Sequence, residues 1–201
     1  MSHKLKITLE GSDPKIYRTV VVPEKFTFHE LHYVIQNVMN WENYHMYQFN
    51  VGRPYSSDSI KLIDGQREDF GFFQKRYKEY DAGETFLSDF FNGQYKKLTY
   101  VYDFGDDWFH TITPFKKPME EVLIPKCING ENAAPIEDCG GIWDFNEILE
   151  ILGKKRKTAE EKEMIESYGI PKGVTYDQVY GFNIDKVNEK LTKFFQSENS
   201  M

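Results

Sequence analysis

The sequence has few cysteines and no long apolar run. Cys127 and Cys139 are its two cysteines, and they do not form the CxxC spacing of redox or zinc sites. The N-terminal segment lacks the apolar core of a signal peptide, and no stretch approaches the ~20 apolar residues needed to cross a membrane. We therefore expect an intracellular, cytoplasmic protein with reduced thiols and no membrane partner.

Common catalytic signatures are missing as well. The chain has no glycine-rich phosphate loop of the P-loop or Rossmann type and no Gly-x-Ser-x-Gly elbow. Its 25 Lys and Arg against 32 Asp and Glu give a net charge of −7, which disfavours a nucleic-acid partner because phosphate contacts need a basic face. The dense basic run at residues 154–157 is interpreted as a solvated loop between helices.

Aromatic residues, in contrast, are abundant: 16 Phe, 13 Tyr and 3 Trp among 201 residues. Large aromatic side chains supply much of the burial energy of a core, and the three tryptophans are predicted to anchor the core or its edge rather than to stack on bases. The length fits one domain over residues 1–201. We divide it into a sheet with the first helix, about 1–115, and a loop with helices, about 116–201.

Local patterns near the N-terminus predict two strands, a helix and a third strand. Residues 5–9 alternate apolar with polar, and residues 16–22 are β-branched and aromatic, as in a hairpin. Thr27 and Glu30 have capping-box spacing and precede an apolar stripe at helical spacing. With a strand at 46–51, this ββαβ start is loosely ubiquitin-like.

The rest of the chain predicts a hairpin followed by helices. Strands at 97–102 and 108–115 flank a turn in which Gly105 is free to take a positive φ. Three helices are predicted after a loop at 116–142: one capped by Asp144 and ended by Gly153, one from Thr158 to Gly169, and a last one around 187–195. Residues 52–82 are predicted to be irregular, with a short helix at 85–91. The fold class is therefore α+β with a mixed or antiparallel sheet.

Three segments carry a resemblance to a known family. The most specific is YVYDFGDDWFHTI at 100–112; the others are residues 18–49 and the PIEDCGG segment at 135–141. Together they resemble the Ri-plasmid ORF-3-like family, also described as insertion-element passenger proteins. Asn40 and Ile136 stand where that family usually has Gly and Pro. The resemblance spans most of the chain and implies no established reaction. Its mobile-element association suggests, more weakly, a DNA-associated accessory protein.

The motif at 100–112 concentrates candidate metal ligands. Two or three carboxylates and an imidazole at a hairpin end could hold a divalent metal together with the 135–141 segment: Mg or Mn if oxygens dominate, Zn if His and Cys take part. The candidates are Asp103, Asp106, Asp107, His110, Glu137, Asp138 and Cys139. Alternatively, the Asp residues accept backbone amides of the turn, and His110 is a strand residue on the same face as Trp108. We favour the turn interpretation, because metal sites need a defined geometry.

Cys139 and the histidines have their own alternatives. Carboxylate neighbours raise the pKa of a thiol, so Cys139 is predicted to be a small buried residue or a ligand rather than a nucleophile. His29 and His32 are three residues apart on the predicted helix, with His29 expected to be exposed and His32 to pack beside its neighbours. His45 follows that helix and is a further candidate ligand.

The leading hypothesis is a non-catalytic binding module with a protein partner. The alternative is a metal-dependent hydrolase or phosphodiesterase acting through Asp103, Asp106, His110, Asp138 and Cys139. No cofactor is established by the sequence. A divalent Zn, Mg or Mn belongs to the alternative hypothesis alone.

Overall fold

The computed structural model of the protein describes residues 1–62 and 77–198. The strands are β1 Ser2–Leu9, β2 Tyr17–Pro23, β3 Tyr47–Asn50, β4 Ser59–Lys61, β5 Glu79–Asp81, β6 Leu98–Tyr102, β7 Trp108–Pro114 and β8 Lys126–Glu131. They form one sheet in the order β5-β4-β3-β6-β7-β1-β2-β8. β4 and β5 are parallel, and the other neighbours are antiparallel.

Six helices accompany these strands in the described part of the chain. They are α1 Phe28–Met39, α2 Leu87–Phe90, α3 Gly141–Gly153, α4 Ala159–Ser167, α5 Tyr176–Tyr180 and α6 Ile184–Glu198. The predicted α+β class is confirmed, with its ββαβ start, its later hairpin and its C-terminal helices; the ubiquitin-like part of that prediction is not confirmed. No helix within residues 1–62 and 77–198 is long and apolar enough to cross a membrane.

The start of α1 shows why local patterns succeed. The Thr27 hydroxyl accepts the backbone N–H of Glu30, and the Glu30 carboxylate accepts the N–H of Thr27 at 2.6 Å. This is the predicted capping box. The apolar stripe behind it is buried against the sheet, and the helix ends where Asn40 takes a left-handed φ of 60°. α1 therefore delivers the loop at residues 40–46 to one end of the sheet.

The hairpin of β6 and β7 also forms as predicted, but its turn differs in detail. Asp103 and Asp107 take the positive φ values, 57° and 53°, rather than Gly105. The Asp103 carboxylate accepts the N–H of Gly105 at 2.8 Å, and its carbonyl accepts the N–H of Asp107. Asp tolerates the left-handed region because its short side chain can hydrogen-bond locally, so the turn does not use the conformational freedom of Gly105.

Two predictions for α3 were wrong. The helix begins at Gly141 with Gly140 as N-cap, so Asp144 lies inside the first turn instead of capping it. Trp143 is 83% exposed, whereas Trp41 and Trp108 are buried as expected. The Gly-Gly step explains the early start: a Cβ on Gly141, whose φ is +80°, would lie 2.6 Å from the carbonyl oxygen of Asp106. Only glycine lets α3 begin against the β6–β7 turn.

Several elements lie where the sequence indicated irregular chain. β4 and β5 fall within residues 52–82, β8 falls within the predicted loop, and α5 was not predicted. β4 and β5 are only three residues long, too short for a period-2 pattern, and residues 63–76 of the predicted irregular segment lie outside the described residues. β8 is an edge strand with mostly exposed side chains. It is recognised as a strand only through its backbone pairing with β2.

α6 covers the outer edge of β8. The Asn188 side chain accepts the backbone N–H of Cys127 at 2.8 Å and donates to the carbonyl of Cys127 at 2.9 Å. The amide thus behaves like one residue of a neighbouring strand, which protects the open edge. Buried side chains from Leu5 to Phe195 form one hydrophobic cluster. That residues 1–201 form a single domain remains a prediction.

Candidate functional site

The loop at residues 40–46 is fixed from beneath by α1. His32 is 1% exposed and stacks on Tyr47 at 3.6 Å between ring centroids. Its Nε2 lies 2.7 Å from Asn43 Oδ1, and its Nδ1 lies 2.8 Å from the hydroxyl of Tyr100. Burial lowers the pKa of His32 to about 3, so the ring is neutral, with Nε2–H donating to Asn43 and Nδ1 accepting from Tyr100. His32 therefore positions this loop from inside the protein.

A second set of hydrogen bonds ties the same loop to the segment at 135–141. The Tyr102 hydroxyl accepts the backbone N–H groups of Tyr44 and His45 and donates to Glu137 Oε1 at 2.5 Å. The other Glu137 oxygen accepts the N–H of Glu42 at 2.6 Å. Burial, followed by Glu137, raises the pKa of Tyr102, so its hydroxyl keeps its proton. Glu137 thus has a positioning role.

The β6–β7 turn and the 135–141 segment meet directly. Asp106 Oδ2 accepts the N–H of Gly140 at 3.1 Å, next to the start of α3. Asp138 sits in a left-handed conformation with φ 58°. Asp103 is held by its own turn and by its N–H, which donates to Met46 O at 2.9 Å. Three separate loops are consequently brought to one end of the sheet.

Three side chains converge there: His45, Asp103 and Asp138. Their potential ligand atoms all lie within 4.8 Å of one another. His45 Nε2 is 2.8 Å from Asp138 Oδ1 and 3.6 Å from Asp103 Oδ2. The Nε2 atom of His45 is shielded from water. No neighbour in the described ranges forms a hydrogen bond with it, so its contact with Asp138 meets the distance of an ion pair but not the geometry of a hydrogen bond. One imidazole and two carboxylates could hold a divalent cation.

The remaining predicted acidic residues each have another partner. Asp106 binds Gly140, Asp107 Oδ1 accepts the Tyr55 hydroxyl at 2.5 Å, and Glu137 holds Tyr102. Cys139 is 1% exposed, and burial, then Asp106 and Asp144, raises its pKa to about 12. A thiol in this environment stays protonated at neutral pH.

His110 lies in the interior rather than in the cluster. It is fully buried with Trp108 and Ile112 on one face of β7, and its Nδ1 lies 3.0 Å from Trp108 O. Burial lowers the pKa of His110 to about 3, which keeps the ring neutral. His45, which the sequence offered only as a further candidate, stands beside Asp103 instead. The signal that could have found it is its place in the loop between α1 and β3, at the same end as the β6–β7 turn.

Several exposed apolar side chains belong to the same three segments as the cluster residues or follow them closely in sequence. Tyr44 and Met46 flank His45 and are 74% and 71% exposed. Phe104, which follows Asp103, is 40% exposed and lies near the ring of Tyr55 at 6.0 Å between centroids. Trp143, in the first turn of α3, is 83% exposed. We call Tyr44, His45, Met46, Asp103, Phe104, Asp138 and Trp143 the His45 surface.

These features define an α+β protein in which the described residues form a mixed eight-stranded sheet, with His45 and two carboxylates at one end. The chain belongs to the plasmid pRiA4b ORF-3-like protein family, whose sequence profile matches residues 1–190. This confirms the resemblance seen in the motif at 100–112.

Two relatives illustrate the family relationship. The chain is similar to the uncharacterized protein y4hQ of Sinorhizobium fredii, with 31% identity over 155 residues, or 74% of this chain and 72% of that protein. It is also similar to the crystal structure of MM3350 from Methanosarcina mazei Go1, a protein of unknown function. There the TM-score is 0.69 and the identity 33%, covering 83% of this chain and 88% of that chain. Neither description names a reaction.

Proposed function

We propose that the protein is a non-catalytic binding module and that the His45 surface binds a protein segment carrying Lys or Arg. Two observations support the proposal: the exposure of Tyr44, Met46 and Trp143, at 74%, 71% and 83%, and the pair of carboxylates that meets His45. Exposed apolar clusters rimmed by polar groups mark interaction sites. Tyr, Trp and Met are also enriched where proteins meet.

The charges of this surface select the partner. Asp103 and Asp138 contribute two carboxylates that share one imidazole, and the whole chain carries a net charge of −7. A cationic side chain would be attracted to the carboxylates and could lie against an aromatic face. An acidic partner would meet like charge on a chain that is already anionic.

The surface can be tested with defined peptides. The probe is a pool of labelled 15-residue peptides, random except for a central Arg flanked by Leu, compared with the same pool carrying Glu at the centre. We expect the Arg pool to bind the full chain more tightly, in a salt-dependent manner, by fluorescence anisotropy. Trp143→Ser and Asp138→Asn are each expected to weaken binding by about tenfold.

Matched controls make this test specific. Leu123 is also 83% exposed, so Leu123→Ser removes an equally exposed apolar side chain elsewhere. Asp185→Asn removes an exposed carboxylate on α6. Both controls should bind like the unaltered chain. Equal binding of the Arg and Glu pools, or an unchanged affinity in Trp143→Ser and Asp138→Asn, would refute the proposal.

A second candidate function is metal-dependent hydrolysis, favoured by the water-shielded Nε2 of His45 that faces Asp103 and Asp138 without a hydrogen bond. One His and two carboxylates suit Mn²⁺ or Zn²⁺, and a site with three protein ligands leaves positions for water, which the metal would activate. The Asp138 side chain is 64% exposed, which would give a substrate access.

Calorimetric titration of EDTA-treated protein with MnCl₂ and ZnCl₂ tests this candidate. We expect about one cation per chain, lost in His45→Gln, and cation-dependent cleavage of bis(4-nitrophenyl) phosphate. Asp107→Asn, in the same turn but bound to Tyr55, serves as the matched control. No heat of binding and an unchanged melting temperature after chelation would leave His45 as a side chain that only contacts the two carboxylates, and the hydrolase hypothesis would be abandoned.

A further inference from the structure

A cavity of about 700 Å³ lies between α3, α4 and the segment that leads into α5. Its volume is in the range of sites that enclose a small organic molecule. Pro14 and Ile16, from the link between β1 and β2, close one side. None of the residues of the His45 surface lines this cavity, so the two sites are separate.

The floor of the cavity is apolar. Phe145, Ile165 and Ile170 line it and are 1%, 5% and 1% exposed. Tyr176 also lines it, but its hydroxyl donates to Ala134 O at 2.7 Å and is already satisfied. The floor therefore presents apolar surface rather than free hydrogen-bonding groups. A ligand that reaches it needs an apolar body, because a polar group buried there would lose its hydrogen bonds to water.

The rim carries the opposite sign of charge from the chain as a whole. Four lysines line the cavity against two acidic residues, Glu166 and Asp177, although the protein has a net charge of −7. Lys157 is engaged, since its Nζ donates to Leu152 O and Lys154 O at the end of α3. The other three form no ion pair with any described residue and are exposed: Lys155, Lys162 and Lys172. Their ammonium groups are available to an anion.

We propose that this cavity binds an amphipathic carboxylate, a small molecule with an apolar body and one anionic head. The apolar body lies against Phe145, Ile165 and Ile170, which removes it from water. The carboxylate stays at the rim near Lys162 and Lys172, where it keeps part of its hydration and gains attraction from the ammonium groups. An amine with the same body would meet like charges there and bind less well.

Competition with a fluorescent anion tests the proposal on the full chain. The reporter is 1-anilinonaphthalene-8-sulfonate, whose fluorescence rises in apolar sites, and the competitors are dodecanoate, dodecanol and dodecylamine. We expect dodecanoate to displace the reporter at the lowest concentration and dodecylamine at the highest, with a difference of about tenfold. The shared chain isolates the effect of the head group.

Lysine variants test which residues cause the preference for an anionic head group. The double substitution Lys162→Gln and Lys172→Gln removes two exposed charges without touching the floor, and should weaken dodecanoate about fivefold while leaving dodecanol unchanged. The control is Lys116→Gln with Lys117→Gln, an exposed pair after β7, which should behave like the unaltered chain. Trp143→Ser, on the His45 surface, should also leave displacement unchanged, which separates this site from the proposed peptide-binding function.

Four outcomes would overturn the inference. The reporter could fail to bind the folded chain, the three competitors could displace it equally, or the Lys162 and Lys172 double variant could match the Lys116 and Lys117 control. A result in which Trp143→Ser alone abolishes displacement would assign the reporter to the His45 surface and would also reject a ligand site in the cavity.

Discussion

Replacing Arg18 with alanine is expected to lower the free energy of unfolding by about 3–5 kcal/mol, because the change leaves buried acceptors without a donor. Arg18 on β2 is 2% exposed, and its guanidinium donates to four backbone carbonyls, those of Tyr17, Val38, Glu131 and Asn132, at 2.8–3.0 Å. Its guanidinium also lies over the Phe182 ring, 4.0 Å from the centroid. This one side chain therefore joins the sheet, the end of α1 and the C-terminal part of the chain.

No carboxylate contacts Arg18 in the described ranges, so the guanidinium depends on neutral partners. Burial lowers the pKa of Arg18 to about 10, which still leaves it charged at neutral pH. Its charge is balanced by carbonyl dipoles, among them Val38 O at the negative end of α1. A lysine could restore the charge but not the planar set of donors, so Arg18→Lys should recover only part of the loss.

Urea unfolding followed by tryptophan fluorescence measures this effect, with thermal melts as a second readout. For a chain of this size the loss corresponds to a decrease in melting temperature of about 10 °C. Arg53→Ala is the matched control, because Arg53 is exposed and its removal should change stability by less than about 0.5 kcal/mol. A loss below about 1 kcal/mol for Arg18→Ala would show that the carbonyls find other donors.

Acidification from pH 7.5 to pH 4.5 is expected to remove roughly 5 kcal/mol of stability through His32 and His110 together. Burial lowers the pKa of each to about 3 in the folded chain. The unfolded chain, with an ordinary value of about 6.5, binds protons that the folded chain does not. The stability is therefore fully present above pH 6.5 and is lost as the pH falls from about 6.5 toward 3.

His110→Leu should separate this effect from the titration of carboxylates. The substitution removes a buried Nε2 atom that has no hydrogen-bond partner in the described residues. It also removes the imidazole that would take up a proton in the unfolded chain. The loss of stability between pH 7.5 and pH 4.5, from urea midpoints, should then be smaller by roughly 2–3 kcal/mol than in the unaltered chain. An identical pH dependence would mean that His110 is not buried as a neutral ring.

Much of the fold followed from short-range patterns. The capping box of α1 needs residues only three positions apart, and it forms as predicted. The β1–β2 and β6–β7 hairpins pair segments joined by short turns. Alternation, capping and turn chemistry act between near neighbours, so these elements could be derived without knowing the rest of the chain.

The candidate site could be predicted only in part. Asp103 and Asp138 were proposed together, and the structure brings both to His45, while His110 from the same motif lies in the core. The motif at 100–112 cannot show that Asp103 lies at the site and His110 in the core. Alternation places His110 and Trp108 on the same face of the strand, but it does not say which face of the strand other elements cover. Helix α1, with Trp41 and Tyr100 beside His110, decides this.

The sequence alone determined the α+β class, the family and the positions of most helices and strands, since these depend on local periodicity and on motifs. Only the tertiary structure decided that three loops from distant parts of the chain meet at His45. Only it decided that Trp143 stays exposed and that an apolar cavity rimmed by lysines opens beside α3. The physical reason is that burial and proximity arise when elements pack, and packing depends on contacts between residues far apart in sequence.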